Sequence, residues 1–161
     1  MSDYKDIREL RDLILLLAPR VGSLLDVSRL ASELGVQRNK IYEYLDFLQG
    51  TFFLRLLPKF SRSIDRTVAG GKKVYFTDTG VLRLVGEVNE GQVFENTIVN
   101  QLAQFGDLSF YNKRNTAEID LILNKQIAFE VKTTPTPKDA QKLHKLSTEL
   151  KLKQDYLISK T

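Results

Sequence analysis

Four side chains in the second half of this 161-residue sequence have the types and spacing of a hydrolytic centre: Glu95, Asp120, Glu130 and Lys132. In the segment Ala128-Phe129-Glu130-Val131-Lys132, strand alternation sends Glu130 and Lys132 to one face and Ile127, Phe129 and Val131 to the other. Glu130 and Lys132 then stand about 6.6 Å apart, two rises of a strand. The preceding segment, Glu118 to Leu123, alternates likewise, with Ile119, Leu121 and Leu123 expected to face a core and Glu118 and Asp120 opposite. Asn124-Lys125 between them suits a tight hairpin turn, because Asn tolerates left-handed backbone angles. Antiparallel neighbours joined this way bring Asp120 and Glu130 to a common face.

The third carboxylate comes from a helix expected over 92–105. At about 100° per residue, Phe94, Ile98, Val99, Leu102 and Phe105 form an apolar face, and Glu95 falls near its middle. A carboxylate among apolar groups costs several kcal/mol unless a lysine or a divalent cation compensates it. Asp120 and Glu130 are hard oxygen ligands suited to Mg²⁺ or Mn²⁺, and Glu95 would complete the site directly or through water. Such an ion polarises a phosphodiester and lowers the pKa of bound water. Lys132 would hold or help deprotonate that water and offset charge on the phosphate. A Glu-x-Lys strand is also a common cross-face surface ion pair. The assembly favours a site: helix with an inward Glu, strand with Asp, hairpin, strand with Glu-x-Lys, then a helix.

These residues need a scaffold. Strands are expected at about 108–111, 119–123, 127–131 and 156–158, with a last helix capped by Thr136 and opened by Pro137. The first half has another rhythm. Apolar residues recur at helical spacing from Ile7 to about Leu48, and Asp26–Leu48 reads as two short helices around a turn. Ala31 allows close helix approach, Gly35 a positive φ, and Ile41, Tyr44 and Leu45 an inward face. That spacing resembles the helix-turn-helix of DNA-binding proteins. Gln37, Arg38, Asn39, Lys40 and Tyr42 would open the recognition helix, and two strands near 52–57 and 73–76 would form a wing. The wing loop, 59–73, carries Lys59, Arg62, Arg66, Lys72 and Lys73 against Asp65. Lys113, Arg114, Lys138, Lys142 and Lys145 would steer phosphates in the second half. The expected domains are 1–80 and 88–161, joined within the glycine-bearing stretch 79–91.

The formal charge of +4 favours a polyanionic partner, although many soluble proteins are simply basic. With no cysteine, thiolate chemistry is excluded, and one histidine, His144 on a lysine-rich helix, excludes a histidine-rich metal site. No apolar run approaches the roughly 20 residues of a membrane span, and the N-terminus is unlike a signal peptide, so a cytoplasmic protein without a membrane partner is expected.

The order Glu95, Asp120, Glu130, Lys132 resembles the PD-(D/E)xK nuclease superfamily, which includes restriction endonucleases and archaeal Holliday-junction resolvases. The resemblance implies that Asp120 matches the metal-binding aspartate, Glu130 and Lys132 the Glu-x-Lys, and Glu95 the first-helix glutamate. Ile119 stands where the family name implies proline. Lys73-Val74-Tyr75-Phe76-Thr77-Asp78-Thr79-Gly80 and Phe129–Lys132 also resemble the C-terminal region of archaeal and bacterial AAA-type ATPases, where a winged helix precedes a nuclease-like domain. No Gly-x-x-x-x-Gly-Lys-Ser/Thr loop is present, as in a relative lacking the motor. The expected fold is α+β: a winged helix-turn-helix, then a restriction-endonuclease-like α/β domain with a mixed central sheet. The expected activity is a Mg²⁺-dependent deoxyribonuclease, with an ATPase or protein partner and a homodimer both compatible. The competing readings are a DNA-binding module with a silent acidic site and a regulatory interaction domain.

Overall fold

The structure, a computed structural model, describes residues 4–113 and 116–160. Helix α1 (Tyr4–Leu17) runs through a 3₁₀ turn (Ala18–Arg20) to α2 (Val27–Leu34) and α3 (Arg38–Gly50). Asp26 caps α2 by accepting the Arg29 amide at 3.0 Å, and Gly35 ends it at φ +69°. That left-handed angle is the one a side chain resists, so the turn into α3 requires glycine there. Ile41, Tyr44, Leu45 and Leu48 of α3 are buried, as their helical spacing predicts.

Strand β1 (Leu54–Pro58) pairs antiparallel with β2 (Lys72–Phe76), Leu54 opposite Phe76. Between them the expected wing loop folds part of its length into helix α4 (Ile64–Ala69). The stretch 79–91, expected as a joint, is also more ordered than its glycines suggest. Asp78 accepts the Val81 amide at 3.0 Å and starts helix α5 (Thr79–Val85), which buries Leu82. One apolar cluster is continuous from Leu13 and Leu17 through Ile41, Val74 and Phe76 to Leu121 and Phe129, so both halves share it. Each fully buried Leu or Phe contributes roughly 1.5–3 kcal/mol to holding them together.

Helix α6 (Glu90–Leu102) opens on a reciprocal Asn89/Gln92 capping box and precedes β3 (Leu108–Lys113). It stops earlier than expected. Phe105 lies beyond its end and is 71% exposed, and Gly106, at φ +147°, turns the chain into β3. One inward position of the helix is polar: Asn96, fully buried, accepts the Phe76 amide and donates to its carbonyl. Strands β4 (Ala117–Leu123) and β5 (Ile127–Lys132) are antiparallel, joined at Asn124 and Lys125 with φ of 51° and 57°, the paired positive angles of the expected hairpin turn. Helix α7 (Pro137–Glu149) begins where Asp139 accepts from the amide and hydroxyl of Thr136. It crosses back to β6 (Gln154–Ser159), parallel to β5, and completes a mixed sheet in the order β3-β4-β5-β6.

Both faces of this sheet are covered. Leu121, Leu123, Phe129 and Val131 join the large core, while Ile122 and Ala128 pack with Leu143 and Leu146 of α7. Ile119 was expected on the side of Leu121 and Leu123 but belongs to the α7 side. Regular β4–β5 pairing ends at Leu121 opposite Phe129, and the alternation breaks just beyond it, at Asp120. No helix among the described residues is long and apolar enough to cross a membrane.

Candidate functional site

The break in alternation is where the carboxylates gather. A regular ladder would match the Val131 N–H with a carbonyl of β4. Here Asp120 Oδ2 accepts it instead, at 2.8 Å. Asp120 is thereby held at the fork where two strands part, 9% exposed. On β5, Glu130 is equally buried, and Lys132, two residues on, lays its Nζ 2.8 Å from Glu130 Oε1. The ion pair anticipated as the plain alternative therefore exists, but its acidic member is withdrawn from water.

Glu95 approaches Asp120 from α6. Its Oε1 accepts the Tyr75 hydroxyl at 2.6 Å. Gly22 closes the other side: a Cβ built there would stand 3.1 Å from Glu95 Oε1, and the backbone is at φ +79°. Lys73, on the face of β2 that also carries Tyr75, pairs with Glu118 and lies 5.2 Å over the Phe110 ring.

Electrostatics tie these groups to one another. Burial raises the pKa of Asp120, opposed by the Val131 amide and by Lys132 and Lys73. Burial and then the Asp120 charge raise that of Glu130, opposed by Lys132. Burial and again Asp120 push Glu95 up to about 7, against the Tyr75 hydrogen bond and the Lys73 charge. Burial alone would lower Lys132, but its bond to Glu130 and the charges of Asp120 and Glu130 leave it raised. Tyr75 is also raised, by burial and by Glu95. Asp120 is thus the shared neighbour of two groups, Glu130–Lys132 on one side and Glu95–Tyr75–Lys73 on the other.

All four predicted centre residues fall in this region. No three His, Cys, Asp or Glu side chains among the described residues are drawn together closely enough to hold an ion as a set. The donor chemistry still fits a hard divalent cation at Asp120 and Glu130. Both are buried oxygen donors that repel each other, and Mg²⁺ commonly uses one or two carboxylates with water and phosphate oxygens completing its shell.

The residues predicted to contact DNA divide. Arg38 and Asn39 are exposed at the start of α3. Lys40 is turned back instead: Asp6 holds it at 3.0 Å, Glu43 at 3.6 Å, and it lies over the Tyr44 ring. Lys73 leaves the wing set altogether, because it is 4% exposed and neutralises Glu118. Arg62 donates to the Leu150 and Lys151 carbonyls. Arg66 and Lys113 line one groove with Lys59 and Tyr111, whereas Lys72 lines another beside Asp46. Lys138 is exposed on the first turn of α7, and Arg114 lies outside the described residues. His144 on α7 is exposed and meets Asp155 at 3.1 Å. Tyr75 and Gly22 stand against Glu95 although neither is among the expected site residues, and Lys73 belongs here and not to the wing. The alternation in Lys73-Val74-Tyr75-Phe76 carried the signal, since it sets Lys73 and Tyr75 on one face.

A family model described as a domain of unknown function, DUF8612, matches residues 1–91, more than half of the chain. The chain belongs to the DUF8612 family. A second model of unknown function, DUF4143, matches residues 90–161. Glu95, Asp120, Glu130 and Lys132 lie in the DUF4143 segment, and Gly22, Lys73 and Tyr75 reach them from the DUF8612 segment. An uncharacterised protein of Methanocaldococcus jannaschii is 26% identical over 94% of this chain and 37% of its own length. Uncharacterised proteins of Mycobacterium tuberculosis (29%, over 85% of this chain and 35% of theirs) and Haemophilus influenzae (27%, over 81% and 36%) are similar too. The chain spans just over a third of the length of these curated relatives. No solved structure matches it significantly.

Proposed function

We propose that this chain is a divalent-metal-dependent DNA endonuclease of the PD-(D/E)xK type, with residues 1–80 as a winged helix-turn-helix and 88–161 as a restriction-endonuclease-like domain. The observation that carries the reading is Asp120 at the strand fork, with its charge felt by a buried Glu130 that Lys132 touches. The α2–Gly35–α3 turn followed by β1 and β2 supports the winged helix, with α4 inserted in the wing. The mixed sheet flanked by α6 and α7 supports the nuclease-like fold.

Mg²⁺ or Mn²⁺ bound there would polarise a phosphodiester and acidify a water molecule. Asp120 and Glu130 would hold the ion through the oxygens not committed to Val131 and Lys132. Lys132, positively charged at neutral pH, would orient a water and offset charge on the phosphate. Glu95 already accepts from Tyr75, so it acts as a proton-bearing neighbour that meets the ion only through water. DUF4143 occurs in AAA-ATPase-associated proteins, and the length of the relatives supports a role beside an ATPase module.

The test is incubation with supercoiled and branched DNA in Mg²⁺, Mn²⁺ or EDTA. Metal-dependent nicking that disappears in Asp120→Asn and Lys132→Ala is expected. Cutting that persists in both variants, or none with either metal, overturns the reading. The second reading, a DNA-binding or regulatory module without cleavage, is favoured by one observation: Glu95 is committed to Tyr75 and does not join the other two carboxylates around one point. Salt-sensitive binding without cutting would establish it.

A further inference from the structure

A second polar locus lies where the two sheets meet, away from the carboxylates. β1 runs beside β3 there, the Phe60 amide donating to the Phe110 carbonyl at 2.6 Å. Between β1, the α6–β3 turn and the β4–β5 hairpin tip is a cavity of about 370 Å³. Leu57 and Leu108 supply apolar wall, and the polar lining includes Arg55, Lys59, Lys125 and Asp107. Three cations face one carboxylate, a local excess of two positive charges.

Arg55 is the unusual member. It stands on β1 opposite Tyr75, so its side chain starts from the face covered by α6. Its Nε is buried and has no hydrogen-bond partner, and no ion pair holds Arg55 among the described residues. Asp107 lines the same cavity without pairing to it. Arg55 as a whole is half-buried, lines the cavity and has no counter-ion among the described residues, so an anion entering there would be its charged partner. With Nε shut off, it is the two outer Nη groups of this cavity-lining residue that can grip two oxygens of an oxyanion at once. Lys125 reaches the rim from the hairpin turn, its position fixed by the positive φ of that turn.

We propose that this seam cavity binds a phosphomonoester, with Arg55 gripping the phosphoryl oxygens and Lys59 and Lys125 neutralising the rest. A phosphomonoester carries about −1.5 to −2 at neutral pH, which matches the local excess better than a single carboxylate does. The size is at the lower end of small-molecule sites, roughly 300–1,000 Å³, enough for a phosphate with a compact apolar body against Leu57 and Leu108. The group comes either from a free small molecule or from the 5′-phosphate end of a nucleic acid. The inference does not depend on Asp120, Glu130 or Lys132.

The experiment is calorimetric titration of the full chain in EDTA with inorganic phosphate and adenosine monophosphate. A parallel arm uses short single-stranded oligonucleotides bearing a 5′-phosphate or a 5′-hydroxyl. Saturable binding is expected, weakened roughly tenfold or more in Arg55→Met and not restored by Arg55→Lys, which lacks the paired Nη donors. Asp120→Asn should bind as the parent does, which separates this site from the cleavage reading. If Arg55→Met fails to fold, Lys125→Glu, an exposed position, carries the test through the same loss of affinity. Preference for the 5′-phosphorylated strand that depends on Arg55 assigns a nucleic-acid end; binding of adenosine monophosphate alone assigns a small molecule. Absence of saturable binding, or binding indifferent to both Arg55→Met and Lys125→Glu, overturns the proposal.

Discussion

Glu130 and Glu95 are both withdrawn from water beside Asp120, yet the fold compensates them differently. Glu130 has a cation, the Lys132 ammonium at 2.8 Å. Glu95 has a neutral donor, the Tyr75 hydroxyl at 2.6 Å, with the bare backbone of Gly22 against its other side. A cation stabilises a carboxylate only when it is ionised. A hydroxyl can also serve the protonated acid, by accepting in place of donating. The strand corner is therefore built to keep charge and the helix corner to tolerate its loss, although the residue type is the same.

The sharpest way to break that contrast is at the residue both corners share. Asp120→Asn keeps the shape but exchanges an anionic acceptor for an amide. In the proposed nuclease it should cut metal-dependent cleavage by roughly 10²-fold or more, as loss of a central electrostatic group does. Plasmid nicking at fixed protein concentration reads this, with circular dichroism as the check on folding. The same substitution removes the Asp120 charge that helps raise Glu95, so the Glu95 pKa should fall from about 7. A variant that cuts normally would leave the strand corner with a structural role only.

Next in size is the pH dependence of stability set by Glu95. Its folded pKa, about 7, lies above its ordinary value near 4.5, so between those pH values the folded chain holds more protons than the unfolded one. The stabilisation is complete below pH 4.5 and is lost as pH rises through 7. Glu95→Gln, which cannot ionise, should thus gain stability relative to the parent at pH 8, by up to about 3 kcal/mol, and little at pH 4.5. Urea denaturation in EDTA at the two pH values measures the difference. An equal effect at both would mean that Glu95 does not titrate in this range.

The strand corner was readable from sequence because it depends on local order: two strands, a two-residue turn and side-chain alternation. Asn124-Lys125 takes the paired positive angles its residue types suggested, and Thr136-Pro137 opens α7. Alternation cannot foresee where it fails, and Ile119 changes sides because the Asp120 side chain replaces a ladder acceptor. The helix corner was harder still, because Gly22, Lys73 and Tyr75 lie 73, 22 and 20 residues from Glu95 and meet it only through tertiary packing. Lys73 shows the cost of counting charge without burial. In a list of basic residues it looked like a phosphate contact, but its partner is Glu118, 45 positions later.

Lys73→Met turns that correction into a measurement. The long unbranched side chain is kept and the cation removed, leaving Glu118 without its partner and Glu95 without an opposing charge. Glu118 is partly exposed and water can recover much of the loss, so the expected destabilisation is about 1–2 kcal/mol. The Glu95 pKa should rise further, since Lys73 now lowers it. If Lys73 instead gripped DNA, stability would be unchanged and the salt dependence of DNA binding would weaken by about one phosphate contact. Denaturation and a salt titration of binding on the same preparation separate the two.

The smallest expected change tests the neutral donor itself. Tyr75→Phe deletes one hydroxyl from a fully buried ring and leaves the packing of β2 intact. Two consequences oppose each other. The ionised Glu95 loses the hydrogen bond that lowers its pKa, so the group shifts above about 7 and carries less charge at neutral pH. Once protonated, it no longer needs a donor to hold a buried anion. The loss should therefore be largest at high pH, roughly 1 kcal/mol more at pH 8.5 than near pH 5, where the hydroxyl still partners the protonated acid. Glu95→Gln changes stability in the opposite direction over the same interval. A Tyr75→Phe effect that is independent of pH would mean that the hydroxyl does not favour the Glu95 anion and so does not lower its pKa.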